Sequence, residues 1–107
     1  MSWDISLRDD AGVCKVPRFE EGGTYAVGGT EKASLNVTYN YDNYFNFGAL
    51  HGKTGKQTVK TLEDAVEFLG MVRNRDYWKS TPGNVGYACN ILLGWARLHP
   101  TARWDVE

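Results

Sequence analysis

Hydrophobic and polar residues alternate strictly at the start of the segment that runs from residue 34 to 47. The residues that share one side of this pattern are Leu35, Val37, Tyr39 and Tyr41, and those on the other side are Ser34, Asn36, Thr38 and Asn40. Neighbouring side chains of a β-strand point to opposite faces, so the pattern predicts a strand with an apolar-aromatic face and a face of short polar groups. One face is expected to join a core. The uncovered face carries either the Asn and Thr side chains or, in the opposite register, the tyrosines.

The N-terminal region has the same two-residue period. Trp3, Ile5 and Leu7 alternate with polar residues and predict a first strand. After a polar turn, residues 13–16 are predicted to form the returning strand. The glycine-rich segment 22–30 contains two Gly-Gly-Thr triplets and predicts a short strand between two tight turns, because paired glycines supply the positive φ that such turns need.

A change to helical periodicity follows the polar, glycine-punctuated residues 48–60, which are predicted to form a loop. A helix is predicted from Thr61, which can act as its N-cap and is followed by acidic residues in the first turn. Its apolar face consists of Leu62, Ala65, Val66 and Leu69.

A second helix is predicted to begin at Thr81-Pro82, with Thr as the cap and Pro in the first turn. It ends at His99-Pro100, because the residue before a proline disfavours helical geometry. Its inward face is predicted to contain Val85, Ala88, Leu92, Trp95 and Ala96. Residues 104–106 are predicted to form a last edge strand.

These elements predict an α+β fold in a single domain over residues 1–107. An antiparallel sheet, mostly from residues 2–47, is covered on one face by two C-terminal helices. A chain of 107 residues with 42% hydrophobic residues is long and apolar enough for one modest core.

Charge and hydropathy exclude several classes of partner. The formal net charge of −1 gives no electrostatic basis for binding duplex nucleic acid or an anionic membrane. The N-terminus has no basic region followed by an apolar core, so it does not resemble a secretory signal. The longest apolar run is far below the roughly 20 residues of a membrane span. A cytoplasmic protein is predicted.

The two cysteines, Cys14 and Cys89, have no Cys or His at metal-ligand spacing. Two buried free thiols are favoured over a disulfide. We therefore predict no metal and no cofactor. No catalytic residue is predicted either, because neither histidine has a carboxylate or thiol at a useful spacing.

Residues 51–56, HGKTGK, invite comparison with a phosphate-binding loop. That motif requires a glycine at position 47, which is Phe47 in this chain. A nucleotide-hydrolysing loop is therefore disfavoured. The open alternatives are a solvated loop and a basic loop that contacts an anionic partner through Lys53 and Lys56.

The run of Asn, Tyr and Phe from residue 36 to 47 is the best candidate for a binding surface. Asn offers donors and acceptors without a charge, and Tyr offers a large contact area at low entropic cost. The alternative is that these aromatic residues pack under the helices. The residues predicted to contact a partner are Asn36, Tyr39, Asn40, Tyr41, Asn43 and Tyr44.

The second candidate site is the start of the second helix. Tyr77 and Trp78 precede it, and unpaired N–H groups at a helix N-terminus can hold an anion. The alternative is that these aromatics staple the chain onto the helix. The residues predicted to bind an anion are Lys53, Lys56, Trp78 and Asn84.

Several short motifs are similar to those of a known group of proteins. They are Ser2-Trp3-Asp4-Ile5, Gly22–Thr30, Leu35–Tyr41, Gly52-Lys53-Thr54-Gly55, Tyr77-Trp78, Thr81-Pro82-Gly83-Asn84 and Leu92–Ala96. Through them the chain resembles a family of small uncharacterised proteins found in bacterial genomes, phages and prophages. The resemblance covers nearly the whole chain. It implies a cytoplasmic accessory protein of a mobile element, and it implies no catalytic residue.

Three functional hypotheses follow. The leading one is a non-enzymatic binding protein that contacts a host or phage protein through the Asn/Tyr run together with Lys53 and Lys56. The second is a sensor or hydrolase of a small anionic ligand such as a nucleotide. The third is a homo-oligomer built through exposed sheet edges.

Overall fold

The computed structural model describes residues 2–17 and 31–107. The regular elements of this part of the chain are β1 (Ser2–Asp9), β2 (Gly12–Val13), β3 (Ser34–Thr38), α1 (Gly55–Leu69), α2 (Pro82–Leu98) and β4 (Arg103–Val106). Two 3₁₀ turns, Tyr39–Asn43 and Phe47–Leu50, lie between β3 and α1. The glycine-rich strand predicted at 22–30 lies outside the described residues.

β1 is the central strand of an antiparallel sheet. Ile5 is opposite Leu35 of β3 on one side and Val106 of β4 on the other. Arg8 is likewise opposite residues of both β2 and β4. It follows that β4 pairs with one edge of β1, whereas β2 and β3 share the other edge. The predicted edge strand at 104–106 is β4, with Arg103 added.

One face of the sheet forms the core together with both helices. Its residues Ile5, Leu7, Leu35, Val37 and Trp104 are buried. The indole Nε1 of Trp104 donates a 2.8 Å hydrogen bond to Oγ1 of Thr58, which ties β4 to α1. The opposite face carries the polar residues that alternate with these buried ones along the strands. The predicted α+β architecture is therefore confirmed.

The start of α1 differs from the prediction. Thr54, and not Thr61, is the N-cap: its Oγ1 accepts from the N–H of Gln57, and Gln57 Oε1 accepts from the N–H of Thr54. This reciprocal capping box satisfies two N–H groups at once. The prediction of a loop over the whole of 48–60 is therefore wrong from residue 55 onward.

α2 begins and ends as predicted. Thr81 is its N-cap and accepts from the N–H of Asn84, Pro82 stands in the first turn, and His99 is the C-cap. The five residues predicted to face inward are all buried. α1 and α2 are antiparallel, since Gly55 lies against the backbone of Ala96 and Gly86 lies against Gly70.

Both cysteines are buried and unpaired, as predicted. Cys14 follows β2, and its N–H donates to the carbonyl of Leu7. Cys89 lies in the buried face of α2. β2 itself contains only Gly12–Val13, which is shorter than the returning strand predicted over 13–16.

Candidate functional site

The Asn/Tyr run changes conformation in its middle. β3 ends at Thr38, and the next five residues form a 3₁₀ turn, so the predicted strand stops before the tyrosines. Tyr39 and Tyr44 keep 39% and 43% of their surface exposed, whereas Tyr41 is completely buried. The turn thus separates Tyr39 from Tyr41, which a straight strand would have kept on one face. Tyr41 belongs to the core and not to the predicted contact surface.

Trp3 supports the exposed side of this turn. Its ring packs edge-on against Tyr39, with 4.8 Å between ring centroids and an interplanar angle of 69°. Its Nε1 donates a 3.0 Å hydrogen bond to Oδ1 of Asp42 within the same turn. Because one ring is held by a hydrogen bond and the other packs on it, both aromatic side chains have restricted freedom before any partner arrives.

The connector between the helices is bound to the same turn. Asn40 Nδ2 donates to the carbonyl oxygen of Trp78 at 3.1 Å, and Ser80 Oγ donates to the carbonyl oxygen of Asn40 at 2.7 Å. The Tyr41 hydroxyl donates to the carbonyl oxygen of Tyr77 at 2.6 Å. Trp78 is 55% exposed. Trp78, predicted for an anion site, is therefore attached to the Asn/Tyr turn instead.

We refer to the exposed and half-buried aromatic residues of this region as the aromatic surface: Trp3, Tyr39, Tyr44 and Trp78. Three separate parts of the chain contribute to it. Asn40 and Asn43, predicted as contact residues, are exposed in the 3₁₀ turn. The turn contributes one acidic residue, Asp42, and no basic one. The surface thus combines large rings with mostly uncharged polar groups.

Asn36 lies on the polar face of the sheet and joins β3 to β1. Its Nδ2 donates to Oδ1 of Asp4 at 2.7 Å, to Oγ of Ser2 at 2.8 Å and to the carbonyl oxygen of Trp3 at 3.3 Å. The donors of its side chain are therefore occupied within the protein. Its side-chain carbonyl oxygen has no partner among the described residues.

The backbone N–H and C=O groups of Asn36 point away from β1. Asp4 and Glu107 exchange both backbone hydrogen bonds, so even-numbered residues of β1 bond to β4 and odd-numbered ones bond to β3. Leu35, opposite Ile5, therefore directs its N–H and C=O to β1. Asn36 directs the same groups outward, and no residue in 2–17 or 31–107 bonds to them. β3 is an edge strand within the described sheet.

The N-terminus of α1 does not offer unpaired N–H groups to an anion. The N–H of Gly55 donates to the carbonyl of Ala102, and that of Lys56 donates to the carbonyl of Pro100. The N–H of Gln57 is capped by Thr54. Lys53 and Lys56 are exposed beside this closed terminus. The phosphate-loop interpretation thus lacks the backbone donors that it requires.

Asn84, the fourth residue predicted for an anion site, is completely buried. Its Oδ1 accepts from the N–H of Asn74, and its Nδ2 donates to the carbonyls of Asp76 and Lys79. It holds the connector in place and has no surface for a ligand. Asn84 and Trp78 lie near the start of α2, while the two lysines lie at the opposite end of α1. Fifteen helical residues separate these ends by about 21 Å.

Neither cysteine has the environment of a nucleophile. Burial, followed by the charge of Asp9 and a hydrogen bond to it, raises the pKa of Cys14. The Cys14 Sγ lies 3.7 Å from Asp9 Oδ2. Burial raises the pKa of Cys89 to about 12. A reactive thiol needs the opposite shift, because the thiolate is the attacking species.

The two histidines make structural contacts with the backbone. His51 Nδ1 accepts from the N–H of Val106 at 3.1 Å, which leaves the proton of a neutral ring on Nε2. His99 Nε2 lies 2.7 Å from the carbonyl oxygen of Lys15. Because a carbonyl oxygen can only accept, the ring nitrogen donates this hydrogen bond. Within 2–17 and 31–107, no three His, Cys, Asp or Glu residues are grouped as metal ligands.

The positions of two aromatic side chains, Trp3 and Phe68, were not anticipated from the sequence. The alternating pattern predicts Trp3 only as a strand residue. The same pattern also places Trp3 at the end of a sheet face, where its ring can reach a neighbouring turn. Phe68 lies outside the apolar face of α1, a signal that could have identified it as exposed.

No helix of the described residues is long and apolar enough to cross a bilayer. No protein-family model, curated protein or solved structure matches the chain.

Proposed function

We propose that the chain is a small non-enzymatic binding protein that acts through protein–protein contact, using the aromatic surface. The observation that carries this proposal is that Tyr39 and Trp78 are both exposed on segments that are held together. Asn40, the neighbour of Tyr39, donates a side-chain hydrogen bond to the carbonyl oxygen of Trp78. Tyr and Trp are enriched in the energetic centres of protein interfaces. Side chains that are already ordered lose less entropy on binding.

A polypeptide partner is favoured over a small ligand by the edge of β3. The outward N–H and C=O of Asn36 can pair with an extended segment of another protein, and the aromatic surface begins only three residues further along the chain. An added strand would receive backbone hydrogen bonds from the edge and side-chain contacts from the rings.

The cellular context of the proposal rests on the resemblance to phage and prophage proteins. We propose a cytoplasmic accessory protein of a mobile element, which acts by occupying a host or phage protein. The near-neutral charge of the chain is consistent with such a contact, since it provides no electrostatic attraction to nucleic acid.

The experiment is a comparative capture from a bacterial host lysate with identification by mass spectrometry. The test variant carries Tyr39→Ala, Tyr44→Ala and Trp78→Ala, and Tyr41 is left intact because it belongs to the core. We expect the triple variant to fold, as judged by circular dichroism and thermal melting, and to lose the proteins that the wild type enriches specifically.

Leu98→Ala is the matched control, because Leu98 is 55% exposed at the far end of α2. It is expected to capture the same proteins as the wild type. Equal capture by the triple variant and the wild type would refute the proposal.

A further inference from the structure

The outer edge of β4 is covered by the chain segment that precedes α1. The N–H of Trp104 donates to the carbonyl oxygen of Lys53, and the N–H of Gly52 donates to the carbonyl oxygen of Trp104, both at 2.9 Å. The next outward N–H of the strand, that of Val106, donates at 3.1 Å to Nδ1 of the His51 side chain. Two backbone contacts and one contact to a histidine ring therefore close this edge, and the ring contact is the one that depends on pH.

The hydrogen bond between His51 and Val106 requires a particular protonation state of the ring. A backbone N–H can only donate, so Nδ1 is the acceptor and carries no proton. Protonation of an imidazole makes both of its nitrogens donors, and the N–H of Val106 then loses its acceptor. The His51 side chain is 59% exposed, so protons reach it directly from solvent. Histidine is the side chain that ordinarily changes charge between about pH 5 and 8.

The charged groups around the ring favour a new position for it after protonation. Oδ1 of Asp105 lies 3.7 Å from Nδ1 of His51, and Oδ2 of the same carboxylate lies 3.4 Å from Nε of Arg8 on β1. Arg103 donates from Nη1 to the backbone carbonyl of the residue after the ring at 2.8 Å, and Lys53 is exposed on the ring's own segment. The arginines and the lysine offer no acceptor. A protonated Nδ1–H is therefore attracted to the carboxylate and away from the strand N–H.

His99 provides the opposite case within the same chain. Its Nε2 donates to the carbonyl oxygen of Lys15, as described above. A ring nitrogen that donates keeps its proton when the ring becomes charged, so this contact persists in acid. The two histidines therefore respond differently to the same change of pH. Protonation breaks the backbone contact of His51 and preserves that of His99.

We propose that His51 is a pH-dependent latch on the outer edge of β4, in which the neutral ring holds the N–H of Val106 and the protonated ring releases it and binds Asp105. The released N–H lies two residues beyond Trp104, whose backbone contacts do not depend on pH. Acid therefore uncovers a donor at the end of β4 while the rest of this edge stays closed. The latch does not involve the aromatic surface and does not depend on the proposed function.

The test is NMR spectroscopy of the purified full chain between about pH 5 and 8, where histidine titrates. Hydrogen exchange, corrected for its intrinsic dependence on pH, gives a protection factor for each backbone amide. We expect the protection factor of Val106 to fall about fivefold as the His51 ring becomes charged, since one hydrogen bond is lost. The amide shift of Val106 is expected to change with the same midpoint as the ring protons of His51. The amide of Val16, which follows the carbonyl bound by His99, is the internal control and is expected to keep its protection.

Two substitutions at position 51 separate the acceptor from the titration. His51→Asn places a side-chain oxygen near the position of Nδ1 and does not titrate, so Val106 is expected to stay protected throughout this pH range. His51→Ala removes the acceptor, so Val106 is expected to show at every pH the low protection of the wild type in acid. A protection factor of Val106 that stays constant while the wild-type ring titrates would overturn the proposal, and so would a pH response that persists in His51→Asn.

Discussion

The hydroxyl of Tyr41 donates a 2.6 Å hydrogen bond to the carbonyl oxygen of Tyr77. Tyr41 is completely buried in the middle of the 3₁₀ turn Tyr39–Asn43, and Tyr77 lies in the connector between the two helices. This contact joins the end of the sheet to the segment that carries Trp78. It therefore positions part of the aromatic surface from within the core.

Tyr41→Phe is expected to reduce the free energy of unfolding by about 1–2 kcal/mol. The substitution keeps the ring but leaves the carbonyl of Tyr77 without this donor. Urea unfolding followed by tryptophan fluorescence measures the change. Tyr44→Phe is the control, because Tyr44 is exposed, and its effect is expected to stay within about 0.5 kcal/mol. Equal effects of the two substitutions would contradict the role given to the Tyr41 hydroxyl.

Asn84→Asp is expected to destabilise the protein by at least about 3 kcal/mol. The new carboxylate would be buried, would lose the two amide donors and would face the carbonyls of Asp76 and Lys79. Chemical denaturation at neutral pH measures this loss. Asn43→Asp makes the same chemical change at an exposed position and is expected to be nearly neutral. A small effect at both positions would mean that Asn84 does not hold the connector.

Gly83→Ala and Gly94→Ala are expected to have opposite signs, although both lie in α2. At Gly83 the added methyl group would overlap the backbone of Val72, which has to move, and we expect a loss of more than about 2 kcal/mol. At Gly94 nothing lies within 4 Å of the added carbon, so helix propensity alone should stabilise by about 0.5–1 kcal/mol. Thermal unfolding of both variants tests this. A stabilising Gly83→Ala would contradict the close approach of connector and helix.

Stability is expected to decrease in alkaline solution through Cys89. Burial raises its pKa from 9.0 to about 12, so the folded state retains a proton that the unfolded state releases. The stabilisation is therefore complete below pH 9 and is lost between pH 9 and 12, with a slope of up to about 1.4 kcal/mol per pH unit. The measurement is the difference in unfolding free energy between the wild type and Cys89→Ala at successive pH values. A difference that does not change over this range would show that the thiol does not titrate as stated.

Interactions between near neighbours in the chain were readable from the sequence alone. The alternation around Ile5 and Leu35 predicted paired strands, and Thr81-Pro82 predicted the start of α2, because side-chain period and capping depend on residues a few positions apart. The layer architecture followed from these elements. The start of α1 was misjudged although its capping box was present in Thr54 and Gln57, because the glycines and lysines around it favoured a loop.

Only the tertiary structure decided which aromatic side chains meet water. Tyr39 and Tyr41 are two residues apart, yet one is exposed and the other is buried, because the chain turns after Thr38 and Tyr41 reaches Tyr77, 36 residues away. Ser80 Oγ donates a hydrogen bond to the carbonyl oxygen of Asn40, which is 40 residues away in the chain. This contact holds the segment that carries Trp78 beside the Asn/Tyr turn. No local pattern encodes such pairings, since each hydrogen bond forms only after the sheet and the helices have packed.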